Sequence, residues 1–338
     1  MSTLDIEKQS SEATMRSNKI HNADLFTAAA NDQFRKHIKT QSKQALEVIK
    51  AKVDWPRLLV PLEAAIAKDR GSKSNAGRRP HSLLVIVRCF ILQAMYNLSD
   101  PRLEEEIADR RSFQIFLELN SHDDIPDETS ICRYRELFAR LNLDKKLFRA
   151  FNRQLADLGL IVGTGTIVDA TLKQAQAFGG GGRDHDAQYT SRKGKMFFGY
   201  KGHVGMDTES EIVHTAEFTT ANISDTELFE KMLLGSERKV YADKGYASKT
   251  RRDALNRQKI FCGILWRAAR AHPLTKQQER TNKRLATIRS AVERPFAFLE
   301  RILGYTRCRY YDLRRNRFQF LFALVVYNIR KSITLTMP

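Results

Sequence analysis

The chain has 338 residues, 42% of them hydrophobic, and carries 57 lysines and arginines against 39 aspartates and glutamates, a formal charge of +18. Such a length and apolar share can bury one large core or two smaller ones, which excludes a disordered chain, and the cationic excess goes well beyond what solubility needs, so a polyanionic partner such as nucleic acid is expected. Cys89, Cys132, Cys262 and Cys308 form no CxxC pair and have no histidines at zinc-ligand spacing, so they read as reduced core residues of a cytoplasmic protein rather than a zinc site or a disulfide framework.

The polar start, MSTLDIEKQSSEATMRSNKI, lacks the apolar core of a secretory signal, and residues 1–30 are expected to be disordered. Helical periodicity sets in from about Asn31. The segment DRGSKSNAGRRP, Asp69 to Pro80, reads as a basic loop. The apolar run SLLVIVRCFILQAMYNL from Ser82 is interrupted by Arg88 and Gln93, which favours a buried helix over a membrane span. DPRLEEEIADRRSFQIFLEL and DETSICRYRELFARL each open on an acidic cap and space their apolar residues by three and four, so residues 31–160 form an all-helical region.

At Gly163 the pattern changes. GTIVDATL is β-rich, and KMFFGYKGHVGMD and EIVHTAEFTTAN read as two long antiparallel strands joined by a turn at Thr208 to Ser210. SDTELFEKMLLG has capping-box spacing from Ser224 to Glu227 and ends at Gly235, predicting a helix of about three turns. RKVYAD is a fourth strand, SKTRRDALNRQ a helix capped by Ser248, and IFCGILW a fifth strand, giving the order β-β-β-α-β-α-β-α. GGGG at 179–182 is expected to be a mobile loop, with Asp184 and Asp186 beside it in solvent.

Asp169 interrupts the first strand, and Asp243 ends the fourth, each among apolar neighbours. Burying an unpaired carboxylate costs several kcal/mol, about, so each must be protonated, paired, bound to a cation, or merely capping a strand end. In RLATIRSAVERPFAFLERILGY the stripe Ile288, Val292, Leu299, Ile302 and Leu303 has helical spacing, with Glu293 on its border and facing partly inward. Pro295 predicts a kink or a helix start near that glutamate, which is also placed to pair with Arg289 four residues earlier. Three carboxylates together suit Mg²⁺, a hard cation that prefers oxygen ligands, and in a very basic protein such a site would cut or join nucleic-acid backbones.

GTIVDATL, FFGYKGHVGMD, TTANISD, VYADKGY and RSAVERPFAFLE, in that order, resemble the blocks of IS5-type transposases of the IS4/IS5 superfamily, a part of the DDE transposase group. The helical stretch from LEEEIADRRSFQIFLEL to PDETSICRYRELF is similar to the amino-terminal region of that family, and the resemblance spans Trp55 to Arg330. It implies an α/β fold with an RNase H-like core, a mixed five-stranded sheet with helices, at 161–338, behind an all-helical DNA-binding region at 31–160. It also implies Asp169, Asp243 and Glu293 as the catalytic, metal-holding triad for Mg²⁺, with Mn²⁺ able to substitute, and Arg289 as the arginine preceding the glutamate. The partners implied are DNA, as inverted-repeat ends and target, and further copies of the chain on that DNA, with no membrane, in a bacterial cytoplasm at the nucleoid. A metal-dependent nuclease without joining and a non-catalytic DNA-binding descendant are the alternatives.

Two positions depart from the family pattern: Ala286 replaces a tyrosine, and Glu300 replaces a lysine thought to touch DNA near the cleaved end. Seven residues is almost two helical turns, so Glu300 is expected on the face of Glu293, toward phosphate, where Glu300→Lys would tighten end binding and Arg301 would stand in for the missing cation. Further candidate DNA contacts are Lys201, Lys193, Arg133, Arg135 and the run RCRYYDLRRNRF, Arg307 to Phe318. His203 and His214 read as core residues, since Mg²⁺ does not favour imidazole.

Overall fold

The computed structural model describes residues 40–71, 80–120, 123–176, 184–192, 194–269 and 272–336. The expected disordered start, the glycine run and Lys193 lie outside them.

The amino-terminal half is helical because its caps and apolar stripes agree. Helices α1 (Gln41–Lys52), α2 (Trp55–Arg70) and α6 (Glu128–Leu141) begin at Thr40, Asp54 and Asp127, whose side chains accept from the backbone N–H of Lys43, Arg57 and Ser130. Between them run α3 (Leu83–Tyr96), α4 (Asp100–Asp109) and α5 (Arg111–Leu117), and α7 (Leu143–Asp157) follows. The long apolar segment becomes α3, a central helix buried around its middle. Its two polar interruptions find partners within the helical half: Arg88 donates to the Phe116 carbonyl and lies over the Trp55 ring, leaving its Nε unpartnered, and Gln93 donates to Asp100.

The sheet follows from Gly165 onward. Its strands are β1 (Gly165–Gln174), β2 (Gln188–Arg192), β3 (Lys195–Asp207), β4 (Val213–Thr220), β5 (Lys239–Ala242) and β6 (Phe261–Ile264), ordered β2-β3-β1-β5-β6 with β4 also on β3. β3 is antiparallel to β1, β2 and β4, while β1, β5 and β6 are mutually parallel neighbours. This mixed sheet behind a helical region is the arrangement of an RNase H-like core. It holds one strand more than the five expected, because QYTSR, too short to stand out, completes a hairpin with the start of β3.

The predicted helix after Ser224 is a second difference. Its capping box forms, yet the chain makes only two 3-10 turns, Asp225–Glu227 and Glu230–Met232. The amides of Leu234 and Gly235 donate to the carboxylate of Glu237 instead of continuing a helical ladder.

Beyond β5 lie α8 (Lys249–Arg257), capped by Ser248, and α9 (Lys276–Arg289). A 3-10 turn, Ser290–Val292, then leads to α10 (Glu293–Ala297), a π-turn at Phe298–Ile302, and the long α11 (Leu313–Thr336). Of the apolar stripe here Val292, Leu299 and Leu303 are buried, but Ile288 and Ile302 are exposed, since the breaks around buried Pro295 rotate them off the core face.

α11 joins the two halves. Phe318 and Phe322 pack on Phe90 of α3, and Phe320 lies under Gly202 of β3, where a Cβ would come within 2.5 Å of the ring. Asn328 accepts from the Val213 amide and donates to Asn152 of α7, and Arg317 pairs with the wholly buried Asp144. One core thus runs from the helices through α11 to one face of the sheet, and a smaller cluster of Val168, Val240, Ala242, Phe229, Met232 and Tyr246 fills the other face.

Candidate active site

Strand register brings the two aspartates together. β1 and β5 are parallel with Val168 opposite Ala242, so the next residue of each chain, Asp169 and Asp243, falls side by side on the same face. That face carries Ile167 and Tyr241, which belong to the large core, and α9 crosses it. Asp243 also begins the 3-10 turn Lys244–Tyr246, so it stands where β5 stops.

Above them sits the α9–α10 junction. Arg289, the last residue of α9, donates from Nη2 to Asp169 Oδ2 at 2.9 Å and lies 3.7 Å from Glu293 Oε1. Asp169 Oδ1 accepts from the Ala170 amide. Burial pushes the Asp169 carboxyl above its usual range; Arg289 pulls against that rise and the Asp243 charge adds to it. Asp243 is half-buried and is felt by Asp169, which places two like charges within one electrostatic neighbourhood.

Glu293 differs from expectation. Its side chain is 67% exposed, because α10 begins at this residue and turns it outward, and among the described residues no three of His, Cys, Asp and Glu gather closely enough to hold a metal ion. Asp169 and Asp243 alone fit a hard divalent cation: both donors are carboxylate oxygens, they are adjacent, and Mg²⁺ is commonly held by one or two carboxylates plus substrate phosphate.

Glu300 is not turned to phosphate either. Its Oε1 accepts from Lys173 Nζ at 2.8 Å, and that wholly buried lysine also donates to the Tyr305 carbonyl at 3.0 Å and lies over the Tyr305 ring. Lys173 is four residues beyond Asp169 on the same strand face, and the π-turn swings Glu300 toward it. Strand periodicity applied to Asp169 would have found Lys173 at once.

The candidate DNA contacts separate by burial. Arg133 and Arg301 are exposed. Arg135 is buried, paired with Asp100 and covered by Tyr310, and Lys201 donates to the Ile223 carbonyl and pairs with Asp225, so neither is free for phosphate. Arg289 is committed to the two carboxylates. Much of Arg307 to Phe318 is seam: Arg309 bonds Asn97, Arg315 pairs with Glu136 and Arg317 with Asp144. Asp184 is buried rather than solvated, accepting from Tyr200 Oη at 2.6 Å and from the Asp312 amide, because α11 closes over it. His203 and His214 are core residues, each driven by burial down to about 4.

A family model described as a transposase DDE domain matches residues 162–329, and a second, described as a transposase domain, matches residues 33–137. The chain belongs to the DDE transposase family. Among solved structures, a piggyBac transposase synaptic complex with hairpin DNA is 11% identical, covering 87% of this chain and 82% of that one at a TM-score of 0.37. The DDE domain match runs from just before β1 into α11, so it holds the sheet, both aspartates, Arg289 and Glu293. Among the described residues of this transposase no single helix is long and apolar enough to cross a membrane.

Proposed function

We propose that this protein is an IS5-type transposase that hydrolyses one DNA strand at the end of an insertion sequence and transfers the freed 3′ hydroxyl to a target phosphodiester. The observation that carries this reading is the register that sets Asp169 beside Asp243 on one sheet face, beneath the α9–α10 junction. Asp169 and Asp243 would hold Mg²⁺, or Mn²⁺ in its place, with Glu293 joining from α10. Such an ion supplies Lewis-acid stabilisation of the attacking and leaving oxygens. In hydrolysis a water oxygen bonds to phosphorus as the bond to the 3′ oxygen breaks; in joining, that 3′ oxygen bonds to a target phosphorus and a target 3′ oxygen leaves.

The chain's own residues do the rest. Arg289 neutralises Asp169 and links it to Glu293 in the absence of DNA, tying β1 to the α9–α10 junction. The exposed cations Arg133 and Arg301, with the +18 charge behind them, draw in phosphate. The remaining parts of the proposal are partners and place: inverted-repeat ends, target DNA, a second copy on the other end, and the bacterial nucleoid. Incubating the protein with its own flanking DNA ends and Mg²⁺, then mapping the cuts, tests it. Cuts at the element boundary with joined products support the reading; cuts without joining support a nuclease, and binding without cuts a non-catalytic descendant.

A further inference from the structure

The two aspartates are restrained in different ways. Asp169 is gripped through its side chain, by Arg289 and by the Ala170 amide. The Asp243 carboxylate caps no amide of the turn it begins, and among the described residues no cation is bonded to it. It leans back over Gly245, where a Cβ would stand 4.0 Å from its Oδ2, and the Asp243 carbonyl accepts from the Tyr246 amide at 3.0 Å. Where this carboxylate stands therefore depends on where the turn Lys244–Tyr246 is held.

Arg251 holds it. From the first turn of α8, its Nη1 donates to the Tyr246 carbonyl at 2.7 Å, Nη2 to the Thr226 carbonyl at 2.8 Å and Nε to Glu230 Oε1 at 2.9 Å, and the guanidinium lies over the Phe229 ring. The Arg251 amide donates to Ser248 Oγ, which fixes the start of the helix that carries it. The side chain is only 11% exposed and each of its three nitrogens is engaged, so it is not a phosphate contact. One planar fork thus ties the turn behind Asp243 to the 3-10 segment at 225–232, a geometry that an ammonium cannot reproduce. The next residue, Arg252, serves β6 instead, donating to the Ile264 and Leu265 carbonyls.

We propose that Arg251 is a positioning residue for Asp243: by anchoring the Lys244–Tyr246 turn from behind, it sets the carboxylate for the divalent cation that Asp243 would share with Asp169. This rests on the metal reading above. Without the guanidinium the Tyr246 and Thr226 carbonyls lose their shared donor, and the turn is free to shift with the carboxylate it carries. Removing the groups that orient metal ligands typically weakens metal binding by about tenfold to a hundredfold.

Mn²⁺ binding to the full chain without DNA, followed by electron paramagnetic resonance, tests this alongside the melting temperature of each variant. Arg251→Met keeps an unbranched stem over Phe229 but removes the donors, and it should weaken Mn²⁺ binding by about tenfold to a hundredfold while DNA affinity without metal stays the same. Arg251→Lys, which keeps the charge and can still reach a carbonyl, should lose less. Arg252→Met also strips two carbonyls of a guanidinium and is the control: it should lower the melting temperature yet keep wild-type Mn²⁺ affinity. Wild-type Mn²⁺ affinity in Arg251→Met, or an equal loss in Arg252→Met, overturns the positioning role alone. Should Arg251→Met not fold, wild-type Mn²⁺ affinity in Arg251→Lys overturns it and a weakened affinity supports it. If Asp243→Asn binds Mn²⁺ as tightly as wild type, the metal reading itself falls and the positioning role with it.

Discussion

Replacing Glu300 by glutamine should destabilise the fold by about 2–3 kcal/mol. The pair it breaks joins a wholly buried ammonium to a carboxylate that is 46% exposed. At 2.8 Å and an effective dielectric near 20, their attraction is about 6 kcal/mol before desolvation is subtracted. Removing one partner of a fully buried pair costs about 3–5 kcal/mol, and an exposed pair is worth at most about 1, so a half-wet pair falls between. For a chain of this size that corresponds to a drop of roughly 3–4 °C in melting temperature. Glu300→Lys should lose more, since it sets a second cation against Lys173. Lys173→Met in the Glu300→Gln background should recover most of the loss, because the buried charge is then gone and its volume is kept. Calorimetric or fluorescence melting of the four proteins decides it. If Glu300→Gln melts within a degree of wild type, or Glu300→Lys is as stable as wild type and binds DNA ends more tightly, Glu300 faces phosphate and the clamp on Lys173 is wrong.

Asp243→Asn should abolish Mg²⁺-dependent nicking and leave DNA binding intact, with no fall in melting temperature, because it removes a charge that repels Asp169; normal cutting by this variant would refute the assignment. DNA affinity should fall on the order of a thousandfold or more between about 50 and 200 mM salt if six to ten phosphates are neutralised, and a flat salt response in a filter-binding titration would remove the polyanion argument. His203 and His214 are held neutral to about pH 4 in the fold and titrate near 6.5 when unfolded, so the unfolded chain binds more protons in that window. Stability should therefore drop as pH is lowered from about 6.5 toward 4, and substituting either histidine by glutamine should flatten the curve; an unchanged slope in both variants would show that other groups carry it.

Strand and cap chemistry made most of the fold readable. Alternation in GTIVDATL and KMFFGYKGHVGMD fixes β1 and β3, and Asp127 and Ser248 mark helix starts that the backbone uses. The short β2 has no pattern of its own and exists by pairing with β3. At Ser224 the local signal for a helix was real, but Glu237 captured the amides that would have extended it. The site divides in the same way. Two carboxylates on apolar strands are visible in one dimension; whether a third joins them depends on how the chain breaks around Pro295, which only packing decides. Arg135, Lys201 and Glu300 looked free for DNA because a sequence does not show the partners Asp100, Asp225 and Lys173 that occupy them.

The placement of α11 bears on how the chain is made. The helical half is complete in sequence by Asp157 and the sheet by Ile264, yet Phe318, Phe320 and Phe322 fill the space between them only after Leu313 has been synthesised. A nascent chain leaving the ribosome therefore carries two incomplete apolar surfaces until α11 emerges, the kind of exposure that invites aggregation or chaperone capture. The Asp312 and Leu313 amides at the start of α11 donate to Asp184 and Asp186, so the segment leading into the edge hairpin lacks these two partners until α11 is in place.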